Sequence, residues 1–371
     1  MEHGGDIYGN KNIELDFSVN LSPIGPPREV SGELLDGELQ GLLTSYPDPM
    51  YRDLRRALSA KAEVPEDWIL CGNGASELLM AAAQALRPKR AMIPVPSYQG
   101  YERVLEAVKT EPFFYQLKRE QGFALTEGIL ESDDGLKRLA EGGSKTEESG
   151  TAQSEAMLFL CNPNNPAGKC IEPELLNRIA EYCRRNRIFL AVDECYLELV
   201  PDARRRTMKR ALAENPYLII VSAFTKAYAM PGIRLGYLLT GNYDLICEVR
   251  RQQPEWSVSM FAQRAGLAAL QSEGYLTEAR LAAQTEREYV CGRLRELGMG
   301  VVDGEAPFVM FFSGRELYEP LKEKGILIRR CDGIRGVRSR PEESGHYYRV
   351  GLRSHEDNRR LMRVIGELVR L

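Results

Sequence analysis

The chain has 371 residues, of which 43% are hydrophobic and 27% charged, and a formal net charge of −4. That length and apolar content suit about two domains with a large buried core, and the mild acidity excludes the broad basic field that nucleic acid or an anionic membrane would need. Eight cysteines, scattered singly without a CxxC, and three histidines argue against a metal site or a disulfide framework and for free thiols in a reducing compartment.

In chain order, the start Met1-Glu2-His3-Gly4-Gly5-Asp6 lacks the basic and apolar regions of a secretory leader, and no apolar run reaches a membrane span. A cytoplasmic protein without membrane or nucleic-acid partners is expected. The first forty residues are loop-rich, and Ser22-Pro23-Ile24-Gly25-Pro26-Pro27 cannot be regular structure. A helix is predicted over 50–61. Strand-like runs at 68–71, 91–95, 156–160, 188–192, 218–223 and 235–239 then alternate with helical patterns at 76–86 and 173–185. Short apolar strands between helices read as a buried, mostly parallel sheet. Residues 141–154, EGGSKTEESGTAQS, form a polar insertion expected as an exposed or disordered loop. Long helices are expected from about 241 to 297, then strands at 308–312, 326–329 and 347–352 and a last helix from 355. The predicted organisation is a large domain over 45–241 and a smaller α+β domain over 242–371 with which segment 1–44 packs.

Five motifs follow predicted strands. Ser222-Ala223-Phe224-Thr225-Lys226 places a lysine at the rim of the sheet, where α/β proteins hold ligands. Lysine can bond an aldehyde cofactor, and Ser222 and Arg234, four residues before it and eight after, could hold a phosphate. Val192-Asp193-Glu194-Cys195-Tyr196 puts a carboxylate at a strand end. Asn162-Pro163-Asn164-Asn165-Pro166-Ala167-Gly168 is a stiff turn presenting an amide. Gly72-Asn73-Gly74-Ala75-Ser76 joins strand to helix, with Gly74 allowing close approach and Ala75 and Ser76 offering N–H groups to an anion. Pro96-Ser97-Tyr98 presents an aromatic that could stack on a flat ring. Each of these alone is an ordinary loop, cap or rim feature.

Together, in this order, they resemble the fold-type I pyridoxal 5′-phosphate (PLP) enzymes of the class I and II aminotransferase superfamily, from about Tyr46 to Arg353. The resemblance implies a large domain with a seven-stranded, mostly parallel sheet and makes Lys226 the Schiff-base lysine and proton shuttle. It makes Asp193 the partner of the pyridine nitrogen, an attraction of about 4 kcal/mol at about 4 Å and an effective dielectric near 20. Asn165 and Tyr196 would hold the ring oxygen, Tyr98 would stack, and Gly74, Ala75, Ser76, Ser222 and Arg234 would cup the phosphate. Tyr46 would reach the cofactor phosphate of a second copy, implying a homodimer with shared sites, and Arg349 would grip the substrate carboxylate.

The N-terminal stretch carrying His3 and Asn20, with Arg335 and Arg353, is similar to threonine-phosphate decarboxylases of cobalamin synthesis; histidinol-phosphate aminotransferases share the core motifs. Both imply a phosphorylated amino-acid substrate, with His3, Asn20, Arg335, Arg349 and Arg353 as its candidate ligands. Gly351 stands where the decarboxylases commonly have alanine. Three functions follow: a threonine-phosphate decarboxylase-like lyase, an aminotransferase, or a PLP-binding regulator without turnover. The third usually carries a fused DNA-binding domain, for which this length leaves no room.

Overall fold

A computed structural model describes residues 4–9, 12–36, 39–141, 155–338 and 344–370. The short β1 (Leu15–Asp16) precedes seven strands of one sheet: β2 (Ile69–Gly72), β3 (Arg90–Val95), β4 (Pro112–Gln116), β5 (Ala156–Cys161), β6 (Phe189–Asp193), β7 (Leu218–Ala223) and β8 (Gly236–Leu239). Their order is β2-β8-β7-β6-β5-β3-β4, and β8 alone runs antiparallel to its neighbours. The protein is α/β with the mostly parallel seven-stranded sheet that the resemblance implied.

The central strands are apolar throughout because both faces are covered. Leu158, Leu190, Val192 and Ile220 point into one core, shared with the helices Arg52–Ala62, Pro173–Arg185 and Met260–Gln271. Met157, Phe159, Ala191 and Val221 alternate into the other, under the helices Ala75–Leu86, Gly100–Ala107 and Tyr243–Arg251. Burying each such aliphatic side chain contributes about 1.5–3 kcal/mol.

A second sheet, β12-β13-β10-β9, is antiparallel and is built from β9 (Gly300–Val302), β10 (Phe308–Ser313), β12 (Arg329–Arg330) and β13 (His346–Gly351). Its core draws on the helices Tyr275–Glu296 and His355–Arg370 and on Phe17. β1 pairs in parallel with β11 (Ile326–Leu327), and the Phe17 carbonyl accepts from the Gly351 amide at 2.8 Å. Thus β1 and the residues just after it are stitched to this C-terminal sheet. The helices at 243–251 and 260–271 instead pack against helices covering the large sheet.

Two elements differ from the sequence reading. The helix Arg28–Asp36 lies within the stretch read as loop; it starts right after Pro26-Pro27 and is held by the helix Met260–Gln271, a distant partner that local pattern does not reveal. The edge strand β4 opens on Pro112 and is only half-buried, so it lacks the continuous buried run that marks the central strands. Most of the 141–154 insertion lies outside the described residues. No described helix is long and apolar enough to cross a membrane.

Candidate active site

The C-terminal ends of the parallel strands open into a cleft of about 330 Å³ between the large sheet, the segment after β1 and the C-terminal sheet. This is the crevice position common to open α/β sheets. Strand register brings its centre together: Cys161 at the end of β5 is paired with Asp193 at the end of β6, and Asp193 with Val221 of β7.

Lys226 follows β7 in the short helix Phe224–Ala227 and lines the cleft. Its ammonium lies over the Tyr196 ring, 5.7 Å from the centroid. Burial, then the positive charges of Arg349 and Arg234, lower its pKa to about 8, with Cys195 and Asp193 pulling the other way. Asp193 is 8% exposed. Its Oδ1 accepts from the Cys195 amide at 3.0 Å and its Oδ2 from the Tyr101 hydroxyl at 2.8 Å. An amine shifted towards its neutral form beside an anchored carboxylate can bond an aldehyde and move a proton.

Tyr196 is buried, which raises its pKa; its hydroxyl accepts from Asn20 Nδ2 at 3.2 Å, and its ring packs edge-on to Phe308. Tyr98 forms one wall, and its hydroxyl is hydrogen-bonded to Ser76. Ala75 and Ser76 begin the helix Ala75–Leu86 at the cleft. Gly74 caps that helix at φ 79°, and a Cβ there would stand 2.5 Å from a terminal nitrogen of Arg234. The absent side chain therefore lets the Arg234 guanidinium lie on the helix start.

Arg349 crosses from β13. Its guanidinium donates to Asn165 Oδ1 and, at 2.9 Å, to the Ser18 carbonyl, and it lies 5.4 Å from the Phe308 ring centre. Asn165 and Asn20 line the same cleft. Buried without a protein partner are Arg349 Nε and Asn20 Oδ1.

Ser222, Arg335, Arg353 and Tyr46 lie outside the cleft. Ser222 lies on the other face of β7, bonded to Tyr237 and outside the cleft, because side chains alternate along a strand. The hydroxyl residue of this motif that lines the cleft is Thr225. Arg335 is paired with Glu102 at 3.1 Å and stacked 4.1 Å from the Phe114 ring centre. Arg353 donates to the Asp16 carbonyl and lies near Phe17. Neither arginine lines the cleft, since each met a partner that sequence distance hides. Tyr46 is 77% exposed, against Trp256 and away from its own chain's cleft. His3 lies outside the described residues, although the neighbouring Gly4 lines the cleft.

Sequence reading missed three participants. Thr225 is the residue just before the lysine. Tyr101, three positions beyond Tyr98, lies in the first turn of the helix Gly100–Ala107. Arg329 begins the basic 329–340 run and lines the cleft, 3.5 Å from Gln99 Oε1.

The family pattern described as aminotransferase class I and II matches residues 12–365. The threonine-phosphate decarboxylase of Salmonella typhimurium is 34% identical, over 99% of this chain and 96% of that protein. The histidinol-phosphate aminotransferase of Clostridium acetobutylicum superposes with a TM-score of 0.82 at 25% identity, covering 96% of this chain and 99% of that one. The histidinol-phosphate aminotransferase of Sinorhizobium meliloti, solved in complex with pyridoxal 5′-phosphate, superposes at 0.79 with 20% identity, covering 96% and 91%.

Proposed function

We propose, from the premise that this chain belongs to the aminotransferase class I and II family, that it binds PLP and decarboxylates threonine phosphate. The observation that carries the reading is one cleft holding the Lys226 amine, the Asp193 carboxylate and, besides Arg234, two guanidiniums, Arg349 and Arg329. The first pair suits an aldehyde-bearing, cationic ring, and the second suits a substrate with two anionic groups.

The residues fit the cofactor. Tyr98 offers a flat face. Arg234, Thr225 and the helix start at Ala75–Ser76 supply donors for its phosphate, and Asn165 and Tyr196 can reach its ring oxygen. The orphaned Arg349 Nε and Asn20 Oδ1 are polar groups left for an incoming molecule. When bound, PLP supplies an aldehyde for the substrate amine and an electron-accepting ring.

The chain's own work is positional and acid–base. Asp193, held at both oxygens, keeps a negative charge fixed at the end of β6. Arg349 and Arg329 anchor the substrate's anions and so decide which bond at Cα stands perpendicular to the ring. In decarboxylation the Cα–carboxylate bond breaks, CO₂ leaves and Lys226 returns a proton to Cα. In transamination the same amine first takes the Cα proton.

Decarboxylation is favoured by the identity of 34% that spans 99% of the chain, N-terminal stretch included. Histidinol-phosphate transamination is the second reading, favoured by the closeness of the C. acetobutylicum fold. The exposed Tyr46, with Trp256 beside it, supports a homodimer in which Tyr46 reaches the partner's cofactor phosphate.

The test has two stages. Apoprotein mixed with PLP and reduced with borohydride should carry the label on Lys226, and labelling elsewhere refutes the lysine assignment. Holoprotein given threonine phosphate should release CO₂ and 1-aminopropan-2-yl phosphate without a keto acid. Amine transfer that depends on a keto acid refutes the decarboxylase reading.

A further inference from the structure

Asp193 is not held by its own strand alone. One oxygen accepts from the Cys195 amide, two residues on. The other accepts, at 2.8 Å, from the hydroxyl of Tyr101, which is 92 positions away in sequence and fully buried. The Tyr101 ring is fixed on both sides: it stacks on Phe159 at 5.2 Å and 24°, and meets the Tyr98 ring edge-on at 5.4 Å and 86°. Tyr98 and Asp193 both line the cleft. Tyr101 thus touches one wall of the cleft and the carboxylate at its floor while standing behind both.

We infer that Tyr101 is a positioning residue that sets Asp193 and Tyr98 in register for a flat cationic ring, resting on the PLP reading above. Burial raises the phenol well above its ordinary pKa, so it remains a proton donor across the working range. A donor to a buried carboxylate does two things. It stops the carboxylate rotating, and it leaves the remaining lone pairs directed into the cleft. Hydrogen bonds to charged groups are worth about 1.5–3 kcal/mol, so losing this one should loosen the hold on a ring cation about tenfold or more. The edge-on contact carries the second function, because the Tyr98 ring plane is braced against the same side chain.

The test is a double-mutant cycle with Tyr101→Phe and Asp193→Asn, read as PLP dissociation constant and as kcat against KM. Tyr101→Phe keeps the ring contacts and removes only the hydroxyl. In the native background it should weaken PLP about tenfold and lower kcat, with KM for the amino acid unchanged because Arg349 and Arg329 are untouched. In the Asp193→Asn background it should add less than about twofold. Equal losses in both backgrounds, or no loss in the native one, overturn the inference, and a thermal melt of each variant identifies loss of folded protein. Borohydride labelling of Lys226 separates the two levels. If native protein labels at Lys226 and Tyr101→Phe changes nothing, the positioning role alone fails. If native protein does not label there, the PLP reading fails first.

Discussion

The amine of Lys226 should titrate near pH 8 in the protein without cofactor. A lysine at 10.5 is neutral in about three molecules per ten thousand at pH 7; one at about 8 is neutral in about one in ten, a gain of about 300-fold in nucleophile. Burial is the largest cause, and the like charges of Arg349 and Arg234 add to it. Trace acetylation from pH 6 to 11, with the Lys226 peptide quantified by mass spectrometry against exposed Lys61, measures this directly. Reactivity should rise about tenfold from pH 6 to 7 and level off above about pH 8.5. Arg349→Met removes a neighbouring cation and should move the midpoint up, though not to 10.5, because burial persists. The sign for stability follows. Between about pH 8 and 10.5 the unfolded chain holds the proton that the folded chain has lost, so folding stability from this group rises through that window. A midpoint at or above 10, or one indifferent to Arg349→Met, would refute the account.

Other consequences can be measured in parallel. Glu194 is buried beside Asp193 and burial raises its pKa from 4.5 to about 7, against its bonds to Met208 and Thr207. The stability this group gives below about pH 4.5 is lost as pH rises through 7, so Glu194→Gln should gain on the native protein by up to about 3 kcal/mol at pH 8 and match it near pH 4.5 in urea titrations. Thr225→Ala should weaken PLP binding about tenfold by fluorescence titration, whereas Ser222→Ala, which loses only the bond to Tyr237, should change it less than about twofold. Arg353→Met should lower the melting temperature by removing donors to the Asp16 carbonyl, and leave KM for the amino acid within about twofold. Gly351→Ala would set a Cβ 2.1 Å from the Val19 carbonyl oxygen; it should lower the melting temperature and raise KM by displacing Asn20.

Much of the cleft was legible because its chemistry is local. Lys226, Asp193, Asn165 and Ala75–Ser76 each sit at or within a few residues of the end of a strand whose apolar run is plain in the sequence, and strand ends of a parallel sheet share one edge. The residues that lie elsewhere do so for two reasons, strand alternation and partners distant in the chain. Ser222 carries the right functional group on the wrong side of β7, and its neighbour Thr225, past the strand's end, turns into the cleft instead. Arg335, in the basic 329–340 run, and Arg353 are held elsewhere by Glu102 and the Asp16 carbonyl.

The α/β alternation, the order of the motifs and the lysine are readable in the chain alone, since they depend on apolar periodicity and on residues adjacent in the chain. The assembled fold sets which arginines face the cleft, brings Tyr101 onto Asp193 from 92 positions away, and keeps Gly351 bare so that the Val19–Asn20 segment can pass. Those facts rest on which surfaces meet when two sheets and an N-terminal segment close on one another, and contacts of that kind leave no spacing in the chain to read.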